Sequence, residues 1–189
     1  MSLDWIFKLA NSGRVTRWRL ALAFHGGRIG RRCAIAPGVR LECGRGRPIV
    51  LGDGVRLQRG VVLSTRGGGR ITLGERVYIG EHGTVLSAAE VQIGRDTIVA
   101  PHARIVDFDA PEDAPKHSAA AADSIHIGRD VWFGAGVTVR RGVQVGDQAV
   151  LGAGAVADRD IPDRGVAVGV PARVVRFRGD SSEKGKSPA

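Results

Sequence analysis

Apolar residues along this chain follow neither a helical nor a simple alternating pattern. The motif aliphatic-x-aliphatic-Gly recurs as Ile49-Val50-Leu51-Gly52, Ile71-Thr72-Leu73-Gly74, Val91-Gln92-Ile93-Gly94, Ile125-His126-Ile127-Gly128 and Val143-Gln144-Val145-Gly146. Ile29-Gly30 begins the series. The second aliphatic falls at 29, 51, 73, 93, 127 and 145, in steps of 22, 22, 20, 34 and 18. The long step reads as 18 plus a 16-residue insertion. Within each step an aliphatic returns every six residues, as in Ile29, Ile35, Leu41 and in Ile127, Phe133, Val139, Val145, Leu151. Four positions after many of these stands a small or β-branched residue, such as Cys33, Val55, Val77, Thr97 or Val131. A helix needs a period of 3.6 and a half-buried strand a period of two. A period of six fits short strands joined by turns about an axis, three hexads to one triangular coil. Coils then stack by parallel pairing, with the aliphatics as inward ladders. Tight corners are the expected reason for the 28 Gly.

The insertion from Asp107 to Ser124 predicts an excursion loop leaving one coil. Before the repeats, 4–10 and 15–24 read as two short helices capping the open end of the solenoid. The division expected is a helical cap at 1–27, a β-helix at 28–172 with its excursion at 107–124, and a basic segment with a tail at 173–189. Residues 179–189 have no core-forming positions and are expected to be disordered.

Composition narrows the chemistry. Hydrophobic residues make up 43% and aromatics 5%, so the core must be aliphatic. The formal charge is +9, from 24 Arg and 4 Lys against 19 acids. Such a balance suits a solvated surface or an anionic partner. Nothing resembles a recognition helix or a stacking platform, so nucleic acid is not the expected partner. The cluster Arg14, Arg17, Arg19 beside Trp18 leaves peripheral membrane contact open. No run approaches the ~18 apolar residues of a membrane span. Cys33 and Cys43 lack zinc spacing, and no leader precedes them. A soluble protein of a reducing, cytoplasmic compartment is expected.

The hexads resemble the hexapeptide-repeat acyltransferases, whose fold is an all-β, left-handed parallel β-helix; about six coils are expected here. The most specific stretch runs Ile-His-Ile-Gly-Arg-Asp-Val-Trp-Phe-Gly-Ala-Gly-Val at 125–137 and Val-Leu-Gly-Ala-Gly-Ala-Val at 150–156, closing with Gly-Val-Pro-Ala-Arg-Val-Val-Arg at 169–176. It is similar to the tail of the O-acetyltransferases of the galactoside, maltose and polysaccharide type. That resemblance implies acetyl transfer from acetyl-CoA to a sugar hydroxyl, in polysaccharide or lipopolysaccharide assembly, by a homotrimer with its site between subunits. It implies acetyl-CoA contacts at Ala135, Ala153, Asp158, Arg159, Arg173 and Arg176. Ala135 and Ala153 are 18 apart, so they should stack on successive coils and leave room for the pantetheine arm.

A general base must take the hydroxyl proton, and His suits the task. At the family's position for it, Ile105-Val106-Asp107-Phe108-Asp109-Ala110-Pro111 holds Phe108, Ala110 or Pro111 instead. His117, inside the insertion, is the first substitute, with Asp107, Asp109, Glu112 or Asp113 to orient it. His102 is the second. With His82 it falls three residues after the middle aliphatic of adjacent coils, so the two rings should lie roughly 5 Å apart. The family's carbonic anhydrases bind zinc through three converging His; the spacing here lacks that set, and no metal is expected. The alternative to an enzyme is a non-catalytic β-helix scaffold of the same descent.

Overall fold

The computed structural model describes residues 4–44, 46, 48–109 and 121–179. These form a left-handed parallel β-helix with three faces, preceded by one helix. The first face stacks Arg28–Ile29, Ile49–Leu51, Arg70–Leu73, Glu90–Ile93, Ile125–Ile127 and Gln144–Val145, every neighbour parallel. Steps of unequal length converge on one register: Leu51 pairs with Leu73, Leu73 with Ile93, and Ile93 with Ile127 across the insertion. The excursion therefore leaves the ladder undisturbed. The second face aligns Ile35, Leu57, Ile79, Val99, Phe133 and Leu151, and the third aligns Leu41, Leu63, Val85, Ile105, Val139 and Ala157.

Every one of these ladder residues is buried. Each such Val, Leu or Ile contributes about 1.5–3 kcal/mol on leaving water, so the hexad is the energetic unit of the fold. The corners between the first and second faces bury the predicted small residues, Cys33, Val55, Val77, Thr97 and Val131.

The glycines divide into two classes, and tight turning accounts for only one. Gly60, Gly136 and Gly154 occupy the left-handed region of backbone space at corners. The Gly that ends each aliphatic-x-aliphatic-Gly motif does not. A Cβ on Gly94 would lie 2.5 Å from the backbone carbon of Gly128 on the next coil, and one on Gly52 2.7 Å from that of Gly74. The signature glycine is thus required by the closeness of successive coils.

One helix, Asp4–Ala23, replaces the two short ones expected. Gly13 lies within it; a mid-helix Gly costs about 1 kcal/mol relative to Ala, which weakens a helix without ending it. Val15 and Leu22 are buried against the first coil. Arg14 donates from Nε to the Ile35 carbonyl at 2.9 Å, and Arg19 donates to the Gly30 carbonyl at 2.6 Å. These two arginines donate to carbonyls of the first coil and so tie the cap to the open end of the stack. No described helix is long and apolar enough to cross a membrane. At the other end, Gly165–Val168 continues the second face and Arg173–Phe177 returns antiparallel to it, which stops further coiling. The tail expected to be disordered falls almost wholly outside the described residues.

Candidate functional site

The corner between the second and third faces forms one continuous edge. Its left-handed position is held in turn by Gly38, Gly60, His82, His102, Gly136 and Gly154. From His82 onward each N–H reaches the coil before it: His82 to the Arg59 carbonyl, His102 to Glu81, Gly136 to Pro101 and Gly154 to Ala135, at 2.8–2.9 Å. His82 and His102 stack with ring centroids 5.4 Å apart and planes 10° from parallel, matching the spacing expected from the hexads. A Cβ on Gly60 would meet the His82 ring at 2.4 Å, so that glycine is where the ring rests. Further along, Ala135 and Ala153 are exposed on consecutive coils. A Cβ on Gly136 or Gly154 would meet nothing within 4 Å. The edge therefore changes from an imidazole stack to a bare backbone ledge.

Beyond the ledge lie the cations of the closing segment, tied to the last coil by the Ala172 N–H on the Val156 carbonyl at 2.8 Å. Arg173 donates to Asp158 at 3.3 Å, and Arg159 lies 3.5 Å from the same oxygen. Desolvation works against the Asp158 carboxylate, but the Arg173 hydrogen bond and the charges of Arg159 and Arg173 outweigh it and hold its pKa below the usual range. The acid is thus neutralised by the arginines it stands among. Arg176 is exposed and has no acidic partner among the described residues.

The excursion leaves the third face through a narrow neck. Asp107 is fully buried. Its carboxylate accepts from the Ser87 hydroxyl at 2.7 Å and from the N–H groups of Ala88 at 2.7 Å and Ala89 at 3.1 Å. Phe108 bridges antiparallel to Ala122, and the Asp123 N–H returns to the Asp107 carbonyl at 2.9 Å. Arg141 closes the neck from below, donating to Asp109 at 2.6 Å and to Asp123. That hydrogen bond, with the charges of Arg141 and Arg140, lowers the Asp109 pKa, and the same bond raises that of Arg141. His117, with Glu112 and Asp113, lies outside the described residues. Asp107 belongs to the neck, with every bond of its carboxylate directed to the preceding coil.

Beside the neck the third face carries a groove of roughly 550 Å³ that the sequence reading missed, walled by Arg66, Arg104, Arg140 and Arg141. Its only advance signal was that Arg66 and Arg140 directly follow third-face strands in different coils. Among the described residues no cluster of three or more His, Cys, Asp or Glu could hold a metal ion.

Residues 124–157 match the family profile described as bacterial transferase hexapeptide (six repeats). The galactoside O-acetyltransferase of Escherichia coli K12 is 34% identical over 111 residues, covering 58% of this chain and 55% of that protein. A putative lipopolysaccharide biosynthesis O-acetyl transferase of the same organism, WbbJ, is 30% identical over 128 residues, covering 62% of this chain and 65% of that one. The chain thus spans less than two thirds of the length of these curated relatives. The hexapeptide-repeat acetyltransferase VCA0836 of Vibrio cholerae, solved with acetyl-CoA, superposes with a TM-score of 0.60 at 24% identity, covering 88% of this chain and 79% of that one. Repeat, fold and relatives agree. Residues 124–157 carry the bacterial transferase hexapeptide signature, and the chain is similar in fold and over most of its length to hexapeptide-repeat, left-handed β-helix acyltransferases, the sugar and polysaccharide O-acetyltransferases among them.

Proposed function

We propose that this protein moves an acetyl group from acetyl-CoA to a sugar hydroxyl during polysaccharide or lipopolysaccharide assembly in the cytoplasm. One observation carries the reading. A bare ledge at Ala135 and Ala153 runs along a single edge, with the His82–His102 stack on one side and Arg159, Arg173 and Arg176 near its other end. Acetyl-CoA has matching parts. Its phosphates need cations, its pantetheine arm needs a narrow backbone-lined track, and its thioester must end beside a base. The acceptor oxygen attacks the thioester carbonyl carbon as the base takes its proton. The C–S bond then breaks, and the leaving sulfur recovers that proton. His117 of the excursion is the proposed base and His102 on the ledge the second candidate, while Asp107 acts only by holding the neck from which the excursion springs.

A homotrimer is part of the proposal. The outer side of the second face aligns Tyr78, Ile98, Trp132 and Val150 in register. Ile98 is 49% exposed and Trp132 57%. A neighbouring copy would cover this apolar stripe, as exposed patches of this kind commonly require.

The test is release of free CoA from acetyl-CoA, followed with a panel of sugar acceptors. Acceptor-dependent thiol release with an acetylated product supports the reading. Binding of CoA with no release for any sugar would overturn it in favour of a scaffold.

A further inference from the structure

The arginine-walled groove points to the charge of the acceptor. Its volume suits a small ligand. Leu86, Val106 and Thr138 line it between the guanidinium groups, and Phe108 stands at the neck. The four cations are not equally engaged. Arg141 is committed to Asp109 and Asp123. Arg140 lies 3.7 Å from Asp109, a carboxylate already held by Arg141. Arg66 sits over the Phe108 ring at 5.8 Å. Arg104 projects from the third face in register with Thr84 and Thr138. Neither Arg66 nor Arg104 has an acidic partner among the described residues, and both are exposed.

Arg66, Arg104 and Arg140 therefore border one space with Arg141, and the one carboxylate in the lining, Asp109, is shared by Arg140 and Arg141 alone. Their mutual repulsion is relieved by an anion, and a guanidinium fork matches a carboxylate or phosphate in two parallel hydrogen bonds. The apolar lining of Leu86 and Val106 suits the C–H face of a sugar ring. We infer that the acceptor is an acidic sugar, gripped at its carboxylate or phosphate by Arg66 and Arg104 while its ring lies along the third face between the excursion neck and the histidine edge. This rests on the proposed acetyl transfer and names its substrate class.

Binding is measured on the full chain without acetyl-CoA, so the answer does not depend on turnover. The probes are methyl β-glucuronide, glucose 1-phosphate and methyl β-glucoside, which share a ring and differ in charge. The charged sugars are expected to bind roughly tenfold or more tightly than the glucoside, since a charge-assisted hydrogen bond is worth about that factor. Arg104→Gln and Arg66→Gln should each remove most of the difference and leave the glucoside unchanged. A preference for the glucuronide or for the phosphate identifies which anion the acceptor carries. Equal binding of all three probes, or unchanged selectivity in both variants, would overturn the inference. So would competition by CoA for the glucuronide with matching loss of CoA affinity in Arg104→Gln, which would give the groove to the CoA phosphates. Failure of acetyl transfer to every sugar, with charge-selective binding intact, would refute the proposed reaction and leave the anionic-sugar site standing.

Discussion

Arg141 reaches Asp109 across 32 residues of chain, Nε to Oδ2 at 2.6 Å, and so fastens the outgoing arm of the excursion to the coil beneath it. The contact matters because Arg141 also takes Asp123 on the returning arm. One guanidinium thus sets the width of the neck.

This clasp has a definite pH dependence. The Asp109 pKa is depressed in the folded protein, chiefly by the Arg141 hydrogen bond. A depressed carboxylate stabilises fully above its unfolded pKa of about 3.9 and loses that contribution as pH falls through the lower folded value. Asp53, Asp96 and Asp158 are depressed in the same sense. The melting temperature should therefore hold from neutral pH down to about pH 4 on their account and fall below it. Asp109→Asn should melt lower at neutral pH and show a shallower acid decline. An acid limb identical to the parent's would mean that the clasp adds nothing to stability.

The ladders were legible in the sequence because each inward position is constrained by burial and recurs. Ile93 and Ile127 could be paired across the insertion for that reason, and His82 could be set over His102 by counting from Ile79 and Val99. The clasp and the groove were not legible. Arg66, Arg104 and Arg141 stand at outward or turn positions, where no period is imposed, and only coiling brings their distant segments together. The motif glycine was recognised but misread, since its reason lies in a neighbouring coil rather than in its own backbone.

The two glycine classes should separate on substitution. Gly94→Ala puts a methyl 2.5 Å from the backbone of Gly128 and must force two coils apart. Overpacking of this kind costs about 1–3 kcal/mol, and a backbone obstacle belongs at the upper end. Gly136→Ala has open space around it but holds a left-handed φ of 69°, worth roughly 1–2 kcal/mol. Chemical denaturation should rank Gly94→Ala as the more damaging. The reverse order would mean that turn strain, not coil spacing, selects the signature glycine.

The closing cations should contribute unequally to CoA affinity. Arg173 is shared with Asp158 at 3.3 Å, whereas Arg176 has no acid among the described residues. Arg176→Ala is expected to weaken CoA by roughly tenfold, the value of a charged hydrogen bond, and Arg173→Ala by less. If Arg176 meets the 3′-phosphate, dephospho-CoA should bind the parent and the Arg176 variant alike. Calorimetric titration of both ligands checks this, and equal affinity of the parent for the two would remove the 3′-phosphate contact.

The base can be assigned by comparing the two candidate histidines. His117 belongs to the excursion, and His102 lies on the ledge edge one coil from Ala135. If His117 takes the hydroxyl proton, His117→Ala should lower acetyl transfer by about 10²–10⁴-fold and leave CoA affinity intact, because the cations proposed to hold the phosphates lie at the closing end of the β-helix. Alanine is unsuitable at 102, where φ is 62°; Asn tolerates that conformation and cannot act as a base. His102→Asn is expected to change turnover only modestly, with His82 left beside the ledge. A collapse of turnover in His102→Asn with full activity in His117→Ala would move the base to the ledge. Full activity in both would mean that neither imidazole accepts the proton, and the acceptor's own acidic group would become the base to test, by replacing the glucuronide with its methyl ester.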